Sequence, residues 1–507
     1  MDWKLIGGKK MKNRITLTNM LTTLLLQIVT IISGFVIPKI ILTYFGSDVN
    51  GLVASLTQFL SYIALVEGGV TGVLMASLYK PLHDKDYSKL SSIVKTADNF
   101  YKKIGLIFIG YTFVLSIIYP LIFKTNFSFL FVFTLTIVLS LALLIQYMFS
   151  LTLKTLLNAD KKVYITSIVQ MIIIICSMIL AYVSVKIYPS IHILKILTGL
   201  LFVLQPVVFT KYVNKYYQID KNAKIEKNLI KSRWDGFAIN IAAFIHNGTD
   251  VVILTIFTTL KTVSIYSVYG LVVTGLKQII NSLTSGINPT IGQALAKNDI
   301  DDLNEKMDLY EYIVFLLVFL LFTVGALLIV PFVMIYTKNI TDANYYVPTF
   351  GILILIAEAI YLLKFPHLNL AYAAGKFKEI TKPAFIEAGL NIIISIILVF
   401  KFGLIGVAIG TLIAMIYRLV FHVSYSKKII PNRKVSIFYK KLLIFVIATL
   451  IGLGIVYFIP STTYTIYSWL IHAVIYTLIF GIIYLIISII FFKKELLFFK
   501  KYIFRNK

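Results

Sequence analysis

Long apolar stretches alternate with short polar ones along the whole chain, and no soluble-protein pattern interrupts them. A bilayer core about 30 Å thick takes roughly 20 apolar residues per helix, and a backbone in lipid must hydrogen-bond to itself. The apolar stretches therefore predict fourteen membrane-spanning helices. The predicted spans lie at 16–44, 49–78, 101–123, 127–153, 163–185, 191–213, 236–260, 263–296, 309–336, 344–373, 383–400, 403–426, 437–459 and 466–492.

Composition agrees with this pattern and narrows the class of protein. The 507 residues are 59% hydrophobic and 14% charged, with a mean hydropathy of +0.89, whereas soluble domains carry about 25% charged residues. No polar stretch is long enough for a soluble catalytic or nucleotide-binding domain. The single cysteine, Cys176, excludes an intrachain disulfide and a cysteine-based metal site. We therefore expect an all-α polytopic membrane protein that is not an enzyme.

The charge of the chain is +26, and its distribution predicts an orientation. Of the 48 Lys and Arg residues, 38 fall on one side of the predicted spans, 7 on the other and 3 within spans. Basic residues near span ends stay in the cytoplasm, so fourteen spans place both termini there. Basic residues spread over short segments suit anionic headgroups rather than nucleic acid. The expected location is the bacterial cell membrane.

Two short similarities suggest an internal repeat. Ile41–Phe45 resembles Ile253–Phe257, and Gly51–Val53 resembles Gly270–Val272, each after a shift of six predicted spans. An even shift preserves direction, so the repeat predicts two parallel six-helix lobes followed by two further helices. The expected divisions are a cytoplasmic N-terminus (1–15), an N-lobe (16–214), a basic linker (215–235), a C-lobe (236–427), the last two spans (428–492) and a basic tail (493–507).

Polar side chains follow one face of the first two helices in each predicted lobe. Inside a membrane such a face must meet protein or water. The pattern predicts a hydrated cavity, and the proline at 289 predicts a bend in one cavity helix. The candidate cavity residues are Asn19, Thr23, Gln27, Gln58, Asn247, Lys277, Gln278, Asn281 and Asn288. The alternative is that these side chains serve only to pack helices together.

Ionisable residues within spans are costlier and more informative. Lys277 and Asp250 fall at similar depth on consecutive predicted helices, so a pair between them is expected, either structural or functional. Lys364 and Arg418 lie nearer the cytoplasmic ends, where snorkelling to the interface is expected. The candidates for coupling or gating are Glu67, His246, Asp250, Glu358 and Glu387.

Two segments resemble bacterial polysaccharide, or lipid-linked oligosaccharide, flippases of the multidrug/oligosaccharidyl-lipid/polysaccharide exporter superfamily. The first comprises Ile37-Pro38-Lys39, Tyr44-Phe45-Gly46-Ser47 and the run from Gly51 to Leu60. The second comprises Glu387-Ala388, Asn391, Ser395, Leu398-Val399, Gly403-Leu404, Gly406-Val407, Gly410-Thr411 and Arg418.

The resemblance implies a V-shaped carrier that moves an undecaprenyl-diphosphate-linked oligosaccharide to the outer leaflet by alternating access. It implies a diphosphate contact at Lys277 and a basic cytoplasmic entrance at Arg14, Lys364 and Arg418. Coupling to H⁺ or Na⁺ is expected, with no other cofactor and no metal. The expected partners are the lipid-linked substrate, the phospholipid membrane and a polysaccharide polymerase with its assembly machinery, and not nucleic acid.

Other functions remain open from the sequence alone. A peptidoglycan-precursor flippase and a drug/cation antiporter of the same fold are the nearest alternatives. A membrane glycosyltransferase, ligase or polymerase would need catalytic carboxylates or arginines on sizeable outer loops, and the predicted outer loops are short. A structural membrane scaffold is the remaining alternative.

Overall fold

The fold is built from helices throughout the part of the chain that the computed structural model describes. Those residues are 3–123, 125–220, 222–226, 229, 248–297, 299–431, 433–460 and 464–504, with side chains from 15 to 498. Of the expected linker at 215–235, residues 215–220, 222–226 and 229 are described, whereas the first half of the seventh predicted span lies outside the described residues. The chain comprises two compact units, Met1–Phe244 and Ile245–Lys507.

The first unit contains helices at all six predicted spans, and several of these helices extend beyond the predicted ends. The chain runs through α1 (Trp3–Ser61), α2 (Ala64–Glu67), α3 (Val70–Asp84), α4 (Tyr87–Ile122), α5 (Phe129–Ile145), a π-helix (Gln146–Ser150), α6 (Leu151–Ala159), α7 (Val163–Ile187), α8 (Ile191–Leu200), a short 3₁₀ turn (Leu201–Val203) and α9 (Leu204–Tyr216). Helix α1 packs along α7, and α5 packs against α4 and α8. Ile40, Ala181, Val185 and Leu194 form a buried apolar cluster between α1, α7 and α8.

The second unit contains the remaining helices. They are α10 (Gly248–Phe257), α11 (Leu260–Thr284), α12 (Asn288–Ala296), α13 (Ile300–Tyr336), α14 (Pro348–Leu363), α15 (Phe365–Ala373), α16 (Phe377–Phe402), α17 (Leu404–Ser426), α18 (Val435–Val456), α19 (Ile466–Phe491) and α20 (Lys493–Phe504). Helix α17 packs on α14 and α16, while α13 packs on α11, α14 and α19. These contacts bring α11, α14, α16 and α17 together around the candidate site.

The all-α polytopic membrane fold is confirmed. Among the described residues, twelve helical segments are long and apolar enough to cross a membrane, and the shorter apolar helix α10 lies within the seventh predicted span. One of the twelve, Ile15–Glu67, covers the first predicted span and most of the second, because the two helices follow each other at a kink. Each of the fourteen predicted runs thus contains helix in the structure.

Two long predicted spans are not continuous helices. Gly46 has φ near +79°, a conformation that glycine adopts readily, and it separates the first span from the second. The second span breaks again at Gly68 and Gly69, which also have positive φ. The eighth predicted span breaks at 285–287, directly before the proline at 289, whose fixed φ suits the first turn of α12.

Helices α16 and α17 approach each other through small residues. A Cβ on Gly406 would meet the backbone of Leu398, and a Cβ on Gly410 would lie 2.8 Å from the backbone nitrogen of Ser395. Glycines four residues apart allow close backbone contact between membrane helices. The close contact fixes Asn391 and Ser395 on α16 against Thr411 on α17.

Candidate functional site

A buried cluster of charged side chains lies within the second unit. Its first pair joins α11 to α14, with Lys277 Nζ 2.6 Å from Glu358 Oε2. The two side chains are 18% and 12% exposed, so the pair is largely removed from solvent. Lys277 Nζ also lies 4.4 Å from the centre of the Tyr361 ring. Tyr361 follows Glu358 by three residues on α14 and therefore shares its face.

The second part of the cluster joins α14, α16 and α17. Lys364 Nζ lies 4.0 Å from the centre of the same Tyr361 ring and 3.8 Å from Glu387 Oε2. Arg418 Nε lies 3.3 Å from that Glu387 oxygen and donates a hydrogen bond to His422 Nε2 at 2.8 Å. The Lys364, Glu387 and Arg418 side chains are each less than a tenth exposed.

We name this group the cation cluster. It comprises Lys277, Glu358, Tyr361, Lys364, Glu387 and Arg418. Three cations face two carboxylates, which leaves one positive charge in surplus. Among the described residues Arg418 Nη1 is buried without a hydrogen-bond partner. A buried charge without full compensation is costly, so the cluster is suited to receive an anionic group that supplies the missing charge and acceptors.

Two expectations about these residues are wrong. Lys277 pairs with Glu358 rather than with Asp250, because α14 brings a carboxylate to the lysine whereas Asp250 is held elsewhere. Lys364 and Arg418 do not snorkel to the interface, since both are buried and share Glu387 as a counterion. Lys364 and Arg418, which were expected at the cytoplasmic entrance, therefore lie in one network with Glu358 and Glu387, which were expected to couple transport.

Asp250 lies in a second polar site, formed by α10, α11, α16 and α17. Its carboxylate accepts hydrogen bonds from Thr411 Oγ1 at 2.9 Å, Tyr266 OH at 3.1 Å and Asn391 Nδ2 at 3.3 Å. Ser395 Oγ donates to Asn391 Oδ1 at 3.1 Å and lies 3.3 Å from the carbonyl oxygen of Val407. The Asp250 carboxylate therefore faces hydroxyl groups and the amide nitrogen of Asn391, with the Val407 carbonyl nearby. Carboxylate, hydroxyl and carbonyl oxygens are ligand types that hard cations prefer. We name Asp250, Asn391, Ser395, Val407 and Thr411 the Asp250 site.

Glu67 occupies a polar position in the first unit, next to the helix break at Gly68. It accepts hydrogen bonds from Thr71 and, at 3.2 Å, from Tyr147 in the π-helix. Tyr101 OH lies 2.6 Å from Thr71 Oγ1, and the Tyr101 side chain is fully buried. The carboxylate thus ties α3 to the π-helix across the break.

The predicted cavity residues lie in different surroundings. Asn19 donates to the carbonyl of Lys161 at 2.7 Å and accepts from the backbone nitrogen of Tyr164 at 2.8 Å, so both ends of its amide hold the turn before α7. Gln58 donates to Ser61, and Asn288 accepts from Asn369. Thr23 and Asn281 are exposed, whereas Gln27 and Gln278 are half-buried. Asn247, His246 and the Arg14 side chain lie outside the described residues.

A third buried ionic group was not predicted from the sequence. Glu311 on α13 is fully buried and lies 2.7 Å from Arg433 and 3.1 Å from Lys441, at the start of α18. Asp308 lies 3.0 Å from both cations, and His367 lies 3.4 Å from Glu311. Burial alone would lower the pKa of Arg433, but the adjacent Glu311 and Asp308 hold it above its ordinary value. This bridge joins the last spans to the rest of the second unit.

An apolar groove crosses the second unit near the end of α11. Its volume is about 670 Å³, and its walls come from α11, α12, α13, α19 and α20. Most of the lining side chains are apolar, and the polar exceptions are Thr290, Lys306, Tyr312 and Ser488. The groove can hold a hydrocarbon chain but offers few polar partners.

Comparison with solved structures identifies proteins of the same fold. No protein-family model and no curated protein sequence matches the chain. Among solved structures, the lipid II flippase MurJ in an inward closed conformation matches with a TM-score of 0.71 and 17% identity, over 94% of this chain and 99% of that one.

Multidrug transporters give weaker matches. The MATE multidrug transporter DinF-BH matches with a TM-score of 0.59 and 12% identity, over 84% and 96% of the two chains. An inward-facing MATE transporter of the MOP superfamily matches with a TM-score of 0.55 and 13% identity, over 82% and 100%. The chain therefore has the fold of this superfamily, and the fold expected from the sequence resemblance is confirmed.

Proposed function

We propose that this protein is a flippase for lipid-linked oligosaccharides. In this proposal it moves an undecaprenyl-diphosphate-linked repeat unit from the inner to the outer leaflet of the bacterial cell membrane by alternating access. No bond is made or broken in the substrate. The observation that carries the proposal is the cation cluster, a buried site with surplus positive charge in a fold shared with a lipid flippase.

The diphosphate is the part of such a substrate that the cation cluster suits. Arg418 presents a planar guanidinium with an unpartnered nitrogen, and guanidinium groups bind phosphate oxygens in a bidentate manner. Lys277 and Lys364 add two ammonium groups beside the Tyr361 ring. Glu358 and Glu387 pair with these cations when no anion is bound. Binding of the diphosphate would therefore replace contacts to the two carboxylates by contacts to the phosphate oxygens. Such an exchange favours release as well as binding.

The lipid tail favours a flippase over an exporter of soluble cations. The groove of about 670 Å³ is lined almost wholly by apolar side chains and lies in the same unit as the cation cluster. A polyprenyl chain would lie there without losing its apolar surroundings. A drug cation, by contrast, would meet the repulsion of a cluster with surplus positive charge.

A second candidate is the flipping of a peptidoglycan precursor. It is favoured by the coverage of nearly all of MurJ, a lipid II flippase, at a TM-score of 0.71. Both candidate substrates need a diphosphate contact and a hydrocarbon groove. They differ in the sugar that is carried and would use the same diphosphate site.

Deletion of the gene separates these functions. We expect cells that lack the protein to accumulate oligosaccharide-lipid facing the cytoplasm and to lose surface polysaccharide while growing normally. Lysis with accumulated lipid II would support the second candidate. Normal polymer together with drug sensitivity would overturn the flippase proposal in favour of an exporter.

We further propose that the Asp250 site binds the coupling cation, with Na⁺ as the first choice and H⁺ as the alternative. Three helices contribute its oxygens, so ion binding would draw α10, α16 and α17 together. Asp250→Asn should abolish the dependence of transport on a Na⁺ gradient while leaving protein in the membrane. Dependence on a proton gradient instead would favour H⁺, and a D250N protein that keeps its ion dependence would overturn the site. Thr258→Val, at the end of α10 outside the site, is the matched control.

A further inference from the structure

A separate pocket lies entirely within the first unit. Its volume is about 850 Å³, within the range of about 300–1,000 Å³ found for small-ligand sites. Helix α4, the π-helix with α6, and α9 form its three walls, and the segment after α9 closes one end. None of the candidate cavity residues, and no member of the cation cluster or of the Asp250 site, lines it.

The pocket changes from apolar to polar along its length. The α9 wall is a helical stripe with spacings of three and four residues, and it passes from Val203 and Val207 to Lys211 and Asn214. On α4 the lining residues are Val94, Lys95, Asp98 and Lys102. The polar end therefore contains the start of α4 and the end of α9, where both helices leave the apolar span. An occupant must have a polar end and a hydrocarbon end.

The polar end carries surplus positive charge. Lys102 lies 2.8 Å from Asp98, one turn earlier on α4, and this pair is internally balanced. Asp220 accepts a hydrogen bond from the backbone nitrogen of Asn222 at 2.8 Å. Lys95 and Lys211 form no ion pair within the part of the chain that the structure describes. Two ammonium groups from different helices thus face one pocket, with the Asp220 carboxylate as the remaining negative charge beside them.

The apolar end opens to the outside of the protein through exposed apolar side chains. Phe149, Val203 and Val207 are 56%, 42% and 43% exposed although each lines the pocket. The wall at Phe149 belongs to the π-helix, a distortion that occurs often at functional sites. A hydrocarbon chain can therefore enter sideways from the bilayer and does not need to pass through water.

We propose that this pocket binds one anionic phospholipid of the surrounding membrane. Its phosphate contacts Lys95 and Lys211, and an acyl chain lies along Phe149, Val203 and Val207. A soluble anion would gain nothing from the apolar wall, and a lipid without net charge would not offset the one positive charge by which Lys95 and Lys211 exceed Asp220. Since Tyr147 in the same π-helix contacts Glu67, the bound lipid also supports the helix break at Gly68.

Lipid binding to the purified full-length protein tests the proposal. Native mass spectrometry in detergent, with phosphatidylglycerol and phosphatidylcholine of identical chains, should show one tightly bound phosphatidylglycerol and weaker phosphatidylcholine. The double variant Lys95→Gln/Lys211→Gln should weaken phosphatidylglycerol binding about tenfold, or 1.4 kcal/mol, and leave phosphatidylcholine unchanged. Equal binding of the two lipids by the wild-type protein would overturn the proposal.

The matched control is Lys103→Gln/Lys215→Gln, which removes neighbouring lysines on the same two helices that do not line the pocket. The control should bind phosphatidylglycerol as the wild type does, and an equal loss in both double variants would contradict a specific site. A second variant, Val207→Trp, fills the apolar end and keeps every lysine. It should reduce binding of both lipids. Unchanged binding in V207W would also overturn the proposal.

Discussion

At the scale of single residues, the proposed function depends most on Lys277. Its ammonium group is held by Glu358 and by the face of Tyr361, in a part of the protein where an uncompensated charge is expensive. Such a pair has either a structural role or a substrate-binding role, and the two roles make different predictions. A structural lysine matters only as the counterion of Glu358, whereas a substrate-binding lysine matters for the anion that replaces Glu358.

Lys277→Ala should reduce transport about ten- to a hundredfold, since a hydrogen bond to a charged group is worth about 1.5–3 kcal/mol. The double variant Lys277→Ala/Glu358→Ala removes the unpaired carboxylate and should restore protein level and thermal stability without restoring transport. Transport is measured as polymer output in cells at matched protein level. Recovered transport in the double variant would show that the pair is structural only.

The sequence predicted the members of this site better than their partners. Lys277, Glu358, Glu387 and Arg418 stand out because ionisable residues are rare within apolar runs. Which carboxylate meets Lys277 depends on how α11 and α14 pack, and Glu358 lies 81 positions away in the sequence. Position along the predicted spans put Asp250 and Lys277 at the same depth in the membrane. It could not show whether the two side chains face each other. Tyr361 was not predicted to belong to the site, because a tyrosine in an apolar run is common and gives no indication of function.

At the scale of elements, the last two spans are attached to the second unit by the bridge around Glu311. A buried carboxylate held by Arg433 and Lys441 must keep both partners, because removal of one leaves charge without compensation. The arrangement joins α13, the turn before α18 and α18 itself, and Lys441 also lies 3.8 Å from Glu495 on α20. The groove proposed for the lipid tail uses α19 and α20 as walls, so its shape depends on this bridge.

Arg433→Gln should lower the free energy of unfolding by about 3 kcal/mol, the lower end of the range for a broken buried pair. Thermal unfolding of the purified protein in detergent measures the change. Lys434→Gln, at the neighbouring exposed position, is the control and should unfold as the wild type does. An R433Q protein as stable as K434Q would show that Lys441 alone compensates Glu311.

Helix boundaries were predictable where hydropathy changes and less so where it does not. The spans from 163 to 185 and from 466 to 492 lie within about two residues of α7 and α19. The proline at 289 predicted a bend, and the helix breaks at 285–287 close to it. The break at Gly68 was not predicted, and Glu67 beside it accepts hydrogen bonds from Thr71 and Tyr147. The Glu311 bridge was missed because its basic residues lie in a segment that orientation alone explains.

At the scale of the whole molecule, the distribution of the basic residues predicts an orientation in the membrane. Thirty-eight of the 48 Lys and Arg residues lie on the face predicted to be cytoplasmic. The fold class was predictable because length and hydropathy report directly on membrane helices. The substrate was not, because neutral polar groups of the kind that could contact a sugar occur equally in packing contacts between membrane helices.

Cysteine labelling tests the orientation. In a Cys176→Ser background, single cysteines replacing Lys85 and Lys427 should be protected from an impermeant maleimide added to intact cells, whereas cysteines replacing Lys186 and Lys401 should react. The expected pattern follows from the positive-inside distribution. Reaction at Lys85→Cys together with protection at Lys186→Cys would invert the topology.

The most direct test of the central claim is flipping by the purified protein in liposomes. Liposomes are loaded with an undecaprenyl-diphosphate-linked oligosaccharide in both leaflets, and an impermeant glycosidase is added outside. With wild-type protein we expect nearly all of the oligosaccharide to become accessible, and with K277A or empty liposomes only about half. Accessibility that stays near half with the wild-type protein, or that rises equally with K277A, would contradict the account.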